Sequence, residues 1–105
     1  MKNVILAVKF TVNNKEQATD ITKKLLAEKL IACANICPIS SVYFWNGKLE
    51  EAEEMEIICK TTIKLHNRVE ARIMELHPYD LPGIAAYPVE ANEAYALWVL
   101  ESVRD

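Results

Sequence analysis

Asn46-Gly47 lies between two strand-like runs, one closing on Val42-Tyr43-Phe44-Trp45 and the next opening at Lys48-Leu49. Both central residues of a type I′ turn need positive φ, which Asn and Gly accept and most residues resist. The pair therefore predicts a tight β-hairpin. A chain built around such a hairpin must find partners for two long strands.

Upstream, Val4, Leu6, Val8, Phe10 and Val12 alternate with Ile5, Ala7, Lys9 and Thr11. A period of two marks a strand with one strongly apolar face. Asn13 or Asn14 is placed to cap a helix, with Gln17 completing a capping-box-like pair. Ala18, Ile21, Leu25 and Leu26 then recur at helical spacing opposite Asp20, Lys23, Lys24 and Lys29, and this helix is expected to end near Leu30. The segment 31–45 reads as extended. After the turn, the acidic run Glu50 to Glu54 is expected to face solvent, leading into Met55, Ile57 and Cys59, which alternate with Glu56, Ile58 and Lys60.

A second helix is expected from about Thr62, burying Val69, Ile73 and Leu76. Pro78 stops it, because the residue before a proline is pushed out of the helical region. Residues 84–89 read as a fourth strand, with Pro88 at its outer end or on a sheet edge. Asn92-Glu93 opens a last helix carrying Tyr95, Trp98 and Val99. The order is βαββαβ plus a terminal helix. It predicts an α+β, ferredoxin-like domain over 1–105, an antiparallel sheet with both main helices on one face.

That architecture leaves the other face to be explained. Tyr43 and Trp45 point opposite to Val42 and Phe44, and with Ile58, Ile5 and Ala7 they make the second face apolar. A contiguous exposed patch of this kind marks an interface, here between identical subunits. The alternative is that both rings are ordinary amphipathic groups at a hairpin tip.

Several function classes are excluded or disfavoured by composition. The net charge is -3 with no basic cluster, so the Lys/Arg stripe needed to neutralise phosphates is missing and no nucleic-acid partner is expected. The apolar runs fall far short of the roughly 20 residues of a membrane helix, so no membrane role is expected. The apolar start, Met1 to Lys9, is too short for a signal peptide. Three cysteines, Cys33, Cys37 and Cys59, read as free thiols in a reducing compartment, and the chain is expected to be cytoplasmic.

The candidate chemistry centres on those thiols and on His77-Pro78-Tyr79-Asp80-Leu81-Pro82, the densest polar group. Cys33 and Cys37 would share a strand face, whereas Cys59 shares the face of Met55 and Ile57 and reads as a buried small hydrophobe. No Cys-x-x-Cys pair specifies a structural zinc site, although thiolate with imidazole would suit Cu(I) or Zn(II). A Cys33 nucleophile with His77 as base needs hydrogen-bond contact that sequence does not place. His66 reads as solvated. An acylphosphatase-like site on the same strand order would need an arginine in the loop after the first strand, and Asn13-Asn14-Lys15 has none. The His77–Pro82 segment is either a site or a stiff corner whose polar groups satisfy a helix end.

Leu30-Ile31-Ala32-Cys33-Ala34-Asn35-Ile36, Tyr43-Phe44-Trp45-Asn46-Gly47-Lys48, Lys60-Thr61-Thr62, His77-Pro78-Tyr79-Asp80-Leu81-Pro82 and Tyr95-x-x-Trp98 together resemble the CutA divalent-cation tolerance family. The resemblance runs in order over nearly the whole chain. It implies a ferredoxin-like homotrimer, a link to copper and other divalent metals, and no known reaction, so no catalytic residue and no obligatory cofactor is assigned. Cys33 and His77 match positions proposed to bind copper. Tyr43, Trp45, Lys60, Tyr79 and Asp80 match positions expected around inter-subunit clefts, where a metal or small molecule would bind. An interaction scaffold without a ligand is the alternative. The chain departs from the pattern at Asn46, where an acidic residue is common, at Gly83, where an acidic residue or alanine is common, and at Phe10, where some members carry cysteine. Cys37 is not a usual family position.

Overall fold

The computed structural model describes residues 3–104, so Met1, Lys2 and Asp105, including the first two residues of the apolar start, lie outside the described residues. Strand β1 (Asn3–Val12) is followed by α1 (Lys15–Ala27), the hairpin strands β2 (Cys33–Trp45) and β3 (Lys48–Thr61), a 3-10 turn (Ile63–Leu65), α2 (His66–Leu76), β4 (Ala85–Ala91) and α3 (Glu93–Ser102). The strands form one sheet in the order β2-β3-β1-β4, every neighbouring pair antiparallel. This is the predicted ferredoxin-like arrangement. Pro88 sits on β4, an edge strand, where a missing N–H costs least.

The turn behaves as its sequence demands. Asn46 has φ 52° and Gly47 φ 78°, the two positive values of a type I′ turn. From Trp45↔Lys48 the ladder runs without a slip to Cys33↔Lys60, pairing all 13 residues of β2. β1 reaches β3 only over Met55–Thr61, so the outer half of the hairpin projects beyond the sheet as a two-stranded arm.

Leu6, Val8, Phe10 and Val12 share a face with Thr61, Cys59, Ile57 and Met55 across β3. Helices α1 and α2 cover this face. Thr61 Oγ1 donates to Leu30 O at 2.7 Å just beyond α1, and Phe10 meets the ring of His77 just beyond α2, edge to face at 5.9 Å. Val8, Phe10, Leu25, Ile57, Val69 and Ile73 are buried in the resulting core. Fully burying a side chain of this size contributes about 1.5–3 kcal/mol before entropy is charged against it.

The helix ends follow local chemistry, with small differences. Asn14 is the N-cap of α1, accepting from Gln17 N at 2.9 Å, while Gln17 Oε1 accepts from Asn13 N, one residue earlier than the cap itself. α1 stops at Ala27 rather than Leu30. Leu30 N donates to Leu25 O and Lys29 N to Leu26 O, a Schellman closure with Lys29 at φ 60°. The 3-10 turn delays the start of α2 to His66.

The second face differs from its expectation. Ala7, Lys60 and Cys33 lie on it in register, and Tyr95 of α3 places its hydroxyl 3.4 Å from Cys33 Sγ. Helix α3 therefore closes one end of this face, and Ile5 and Ala7 are buried instead of forming an exposed patch. Among the described residues the open apolar side chains include those of the arm, Val42, Phe44 and Leu49 on one face and Tyr43 and Trp45 on the other, together with others such as Tyr87 on β4 and Leu97 and Leu100 on α3.

Candidate functional site

β4 accompanies β1 only as far as the Lys9↔Ala85 pair, leaving the end of β1 open on that side. The segment after α2 fills this opening. His77 Nδ1 accepts from Tyr79 N at 3.1 Å, so Nε2 carries the proton and donates to Thr11 O at 2.7 Å. The imidazole thus takes a main-chain carbonyl that β4 does not reach. Its ring also packs edge-on against Tyr79 at 4.6 Å, and the corner set by Pro78 is held from both sides.

From that corner Tyr79 reaches across to the hairpin arm, where its hydroxyl donates to Glu54 Oε2. The same carboxylate accepts from Thr11 Oγ1 at 3.2 Å, and the Ser41 hydroxyl also helps to stabilise its charge. Glu54 is only 9% exposed. A groove of about 510 Å³ opens over this cluster, with Tyr43 and Trp45 of the arm on one side and Asp80, Leu81 and Gly83 of the loop on the other.

The electrostatics follow from these contacts. Burial pushes the Glu54 carboxyl upward, but the hydroxyls of Ser41, Tyr79 and Thr11, with the nearby imidazole, outweigh it and hold the group below its ordinary range. Desolvation lowers the His77 pKa, against the opposing pull of Thr11 O and Glu54, so the ring favours its neutral form. Burial, together with the bond to an anionic acceptor, keeps Tyr79 a phenol well above its usual range. The site is therefore a fixed anion with neutral donors around it.

Of the residues singled out in the sequence, Tyr43, Trp45, Tyr79 and Asp80 come together around this groove. Lys60 does not: its Nζ lies 3.4 Å from Asn35 Oδ1, on the stretch of sheet near Cys33. Cys33 pairs in register with Lys60, which pairs with Ala7 midway along β1, and touches Tyr95, while His77 sits near the end of β1 beside Thr11. One subunit thus keeps the two proposed metal ligands apart, and both nitrogens of His77 already hold hydrogen bonds. Among the described residues no group of three or more His, Cys, Asp or Glu could enclose a metal ion. Cys59 is fully buried with its thiol pushed up to about 12 by burial, while Cys37 is exposed. His66 is half-exposed, 3.5 Å from Glu70 one turn on.

Glu54, Thr11 and Ser41 were not anticipated as site residues, and Tyr95, known from its motif, was not placed beside Cys33. The acidic run was expected to face solvent throughout, yet its last member lies under Tyr79 because the loop after α2 folds over that point of the arm. The signal was present in the parity of β3: Glu54 falls on the same face as Glu56, Ile58 and Lys60. Phe10 is a core residue and Gly83 borders the groove without a carboxylate.

Fold and groove together define a small ferredoxin-like domain with an aromatic-walled groove at one end of its sheet. The family model described as CutA1 divalent ion tolerance protein matches residues 6–102. A divalent-cation tolerance protein CutA of Pyrococcus horikoshii is 41% identical over 101 residues, spanning 95% of this chain and 99% of the relative. The crystal structure of CutA1 from Oryza sativa superposes with a TM-score of 0.93 at 35% identity, covering 99% of this chain and 97% of that one. A structure from Archaeoglobus fulgidus, described as a periplasmic divalent cation tolerance protein CutA, gives 0.90 at 35% identity over 96% of this chain and 99% of that one. The chain belongs to the CutA1 divalent ion tolerance protein family. Among the described residues no helix is long and apolar enough to cross a membrane.

Proposed function

We propose that the chain serves divalent-cation tolerance as a cytoplasmic, non-enzymatic homotrimer that binds soft or borderline cations such as copper weakly. Family membership over residues 6–102 carries this reading. Assembly is supported by the hairpin arm, whose Val42, Phe44 and Leu49 stay exposed and whose β2 edge has no partner strand among the described residues. Because Cys33 lies in register with Ala7 and His77 lies beside Thr11, four residues further along β1, a site using both would draw its ligands from two subunits. It would also take one nitrogen of His77 from its present hydrogen bond. Titration with Cu(I), Cu(II) and Zn(II) tests the metal reading; equal affinity in wild type and in a Cys33→Ser/His77→Ala variant refutes it. Light scattering that finds a monomer at micromolar concentration refutes the assembly.

The groove favours a second reading, a small-molecule site. Its volume of about 510 Å³ falls within the roughly 300–1,000 Å³ of ligand pockets. Its aromatic walls and few placed polar groups also fit that class. Electron density for a bound molecule over Glu54 in crystals of the assembled protein would support it; a groove filled by a neighbouring subunit's side chains would refute it.

A further inference from the structure

We propose that this groove selects a small organic cation, an ammonium on a short apolar body, with Glu54 as its counter-charge and Tyr43 and Trp45 as its walls. The proposal rests on the small-molecule reading of the groove and names the ligand class. Glu54 is a carboxylate nine-tenths buried, and among the described residues no Lys or Arg pairs with it. Its partners are hydroxyls, which orient the anion without neutralising it. Those hydroxyls stabilise the carboxylate as an anion without cancelling its charge, so a cationic ligand would meet a fixed counter-charge held largely out of water.

The rest of the lining agrees in sign. Asp80 adds a second carboxylate, and no Lys or Arg borders the groove among the described residues. An anionic ligand would meet two like charges. A hard divalent cation is disfavoured for another reason: it seeks six or more oxygen ligands, whereas Glu54 is already engaged by hydroxyls and among the described residues no third carboxylate lines the groove. Aromatic faces attract ammonium groups through their quadrupoles, more strongly where water is excluded. Tyr43 and Trp45 share one face of β2 two residues apart, so their rings flank the same space.

The test uses the full chain in its native assembly and n-butylammonium as probe, with n-butanol and butyrate as its neutral and anionic counterparts. The indole N–H resonance of Trp45, assigned with Trp45→Phe, reports on the groove. That of Trp98, stacked on Tyr95 at 5.7 Å away from it, is the internal control. Butylammonium is expected to shift Trp45 alone, saturably, and to bind at least tenfold more tightly than butanol, with butyrate giving no shift. Glu54→Gln is expected to abolish the preference for butylammonium over butanol. Should that variant unfold, Tyr43→Leu decides, being expected to weaken butylammonium more than butanol. Equal binding of butylammonium and butanol through the same Trp45 shift overturns the cation class while leaving the groove reading intact. No Trp45 shift with any of the three probes overturns both.

Discussion

Tyr79 and Glu54, 25 residues apart, are joined by a hydrogen bond from phenol to carboxylate that ties the loop after α2 to the hairpin arm. This contact gives the groove its floor. It also makes the conformation of the loop dependent on the charge of one buried side chain.

Removing the phenol should therefore be felt in stability. Tyr79→Phe is expected to cost about 1.5–3 kcal/mol, the range for hydrogen bonds to charged groups. Urea denaturation at fixed protein concentration measures it. Combined with Glu54→Gln, the two losses should be clearly less than additive, since both variants break one contact.

Acid should weaken the fold in two stages. His77 has a folded pKa below its ordinary 6.5, so its contribution is full above 6.5 and lost as pH falls through the folded value. Glu54 is likewise held below 4.5, and its contribution is lost at still lower pH. Protonating Nδ1 would also remove the acceptor for Tyr79 N. Denaturant midpoints recorded from pH 7.5 to 3.5 are expected to fall in both ranges, and His77→Gln should erase the upper stage only.

Two left-handed positions have opposite prospects. Lys29 at φ 60° carries a Cβ where glycine is favoured, so Lys29→Gly is expected to gain up to about 1 kcal/mol. Gly47 at φ 78° has open space around its would-be Cβ, so a side chain there meets strain rather than a clash. Gly47→Val should cost about 1–2 kcal/mol. Thermal melts of both variants check the pair of signs.

Cys59 should behave as an inert hydrophobe. Burial raises its thiol to about 12, leaving almost no thiolate at pH 8. Iodoacetamide followed by peptide mass mapping is expected to leave Cys59 unmodified in native protein and to label it after denaturation. Labelling at comparable rates in both states would contradict the structure.

Much of the fold was legible because its cues are local. The Asn46-Gly47 turn dictates a hairpin, and period-two alternation records which side of β1 faces a core. Asn14 and Pro78 mark helix boundaries through their own hydrogen bonding and sterics. Of the site, the aromatic and acidic residues around His77 were visible as a polar corner. Their common focus on Glu54 was not.

The sequence by itself determined element order, the hairpin turn, the buried character of Cys59 and the residues of the corner. Only the tertiary structure decided that α3 lies over Ile5 and Ala7, that Glu54 is buried, and that Cys33 and His77 stand apart. Those outcomes rest on contacts such as Cys33 with Tyr95 and His77 with Thr11, separated by 62 and 66 residues. Alternation tells a strand which face to bury, but not which helix will cover it. A carboxylate in an acidic run looks solvated until a distant loop brings the hydroxyls that make its burial affordable.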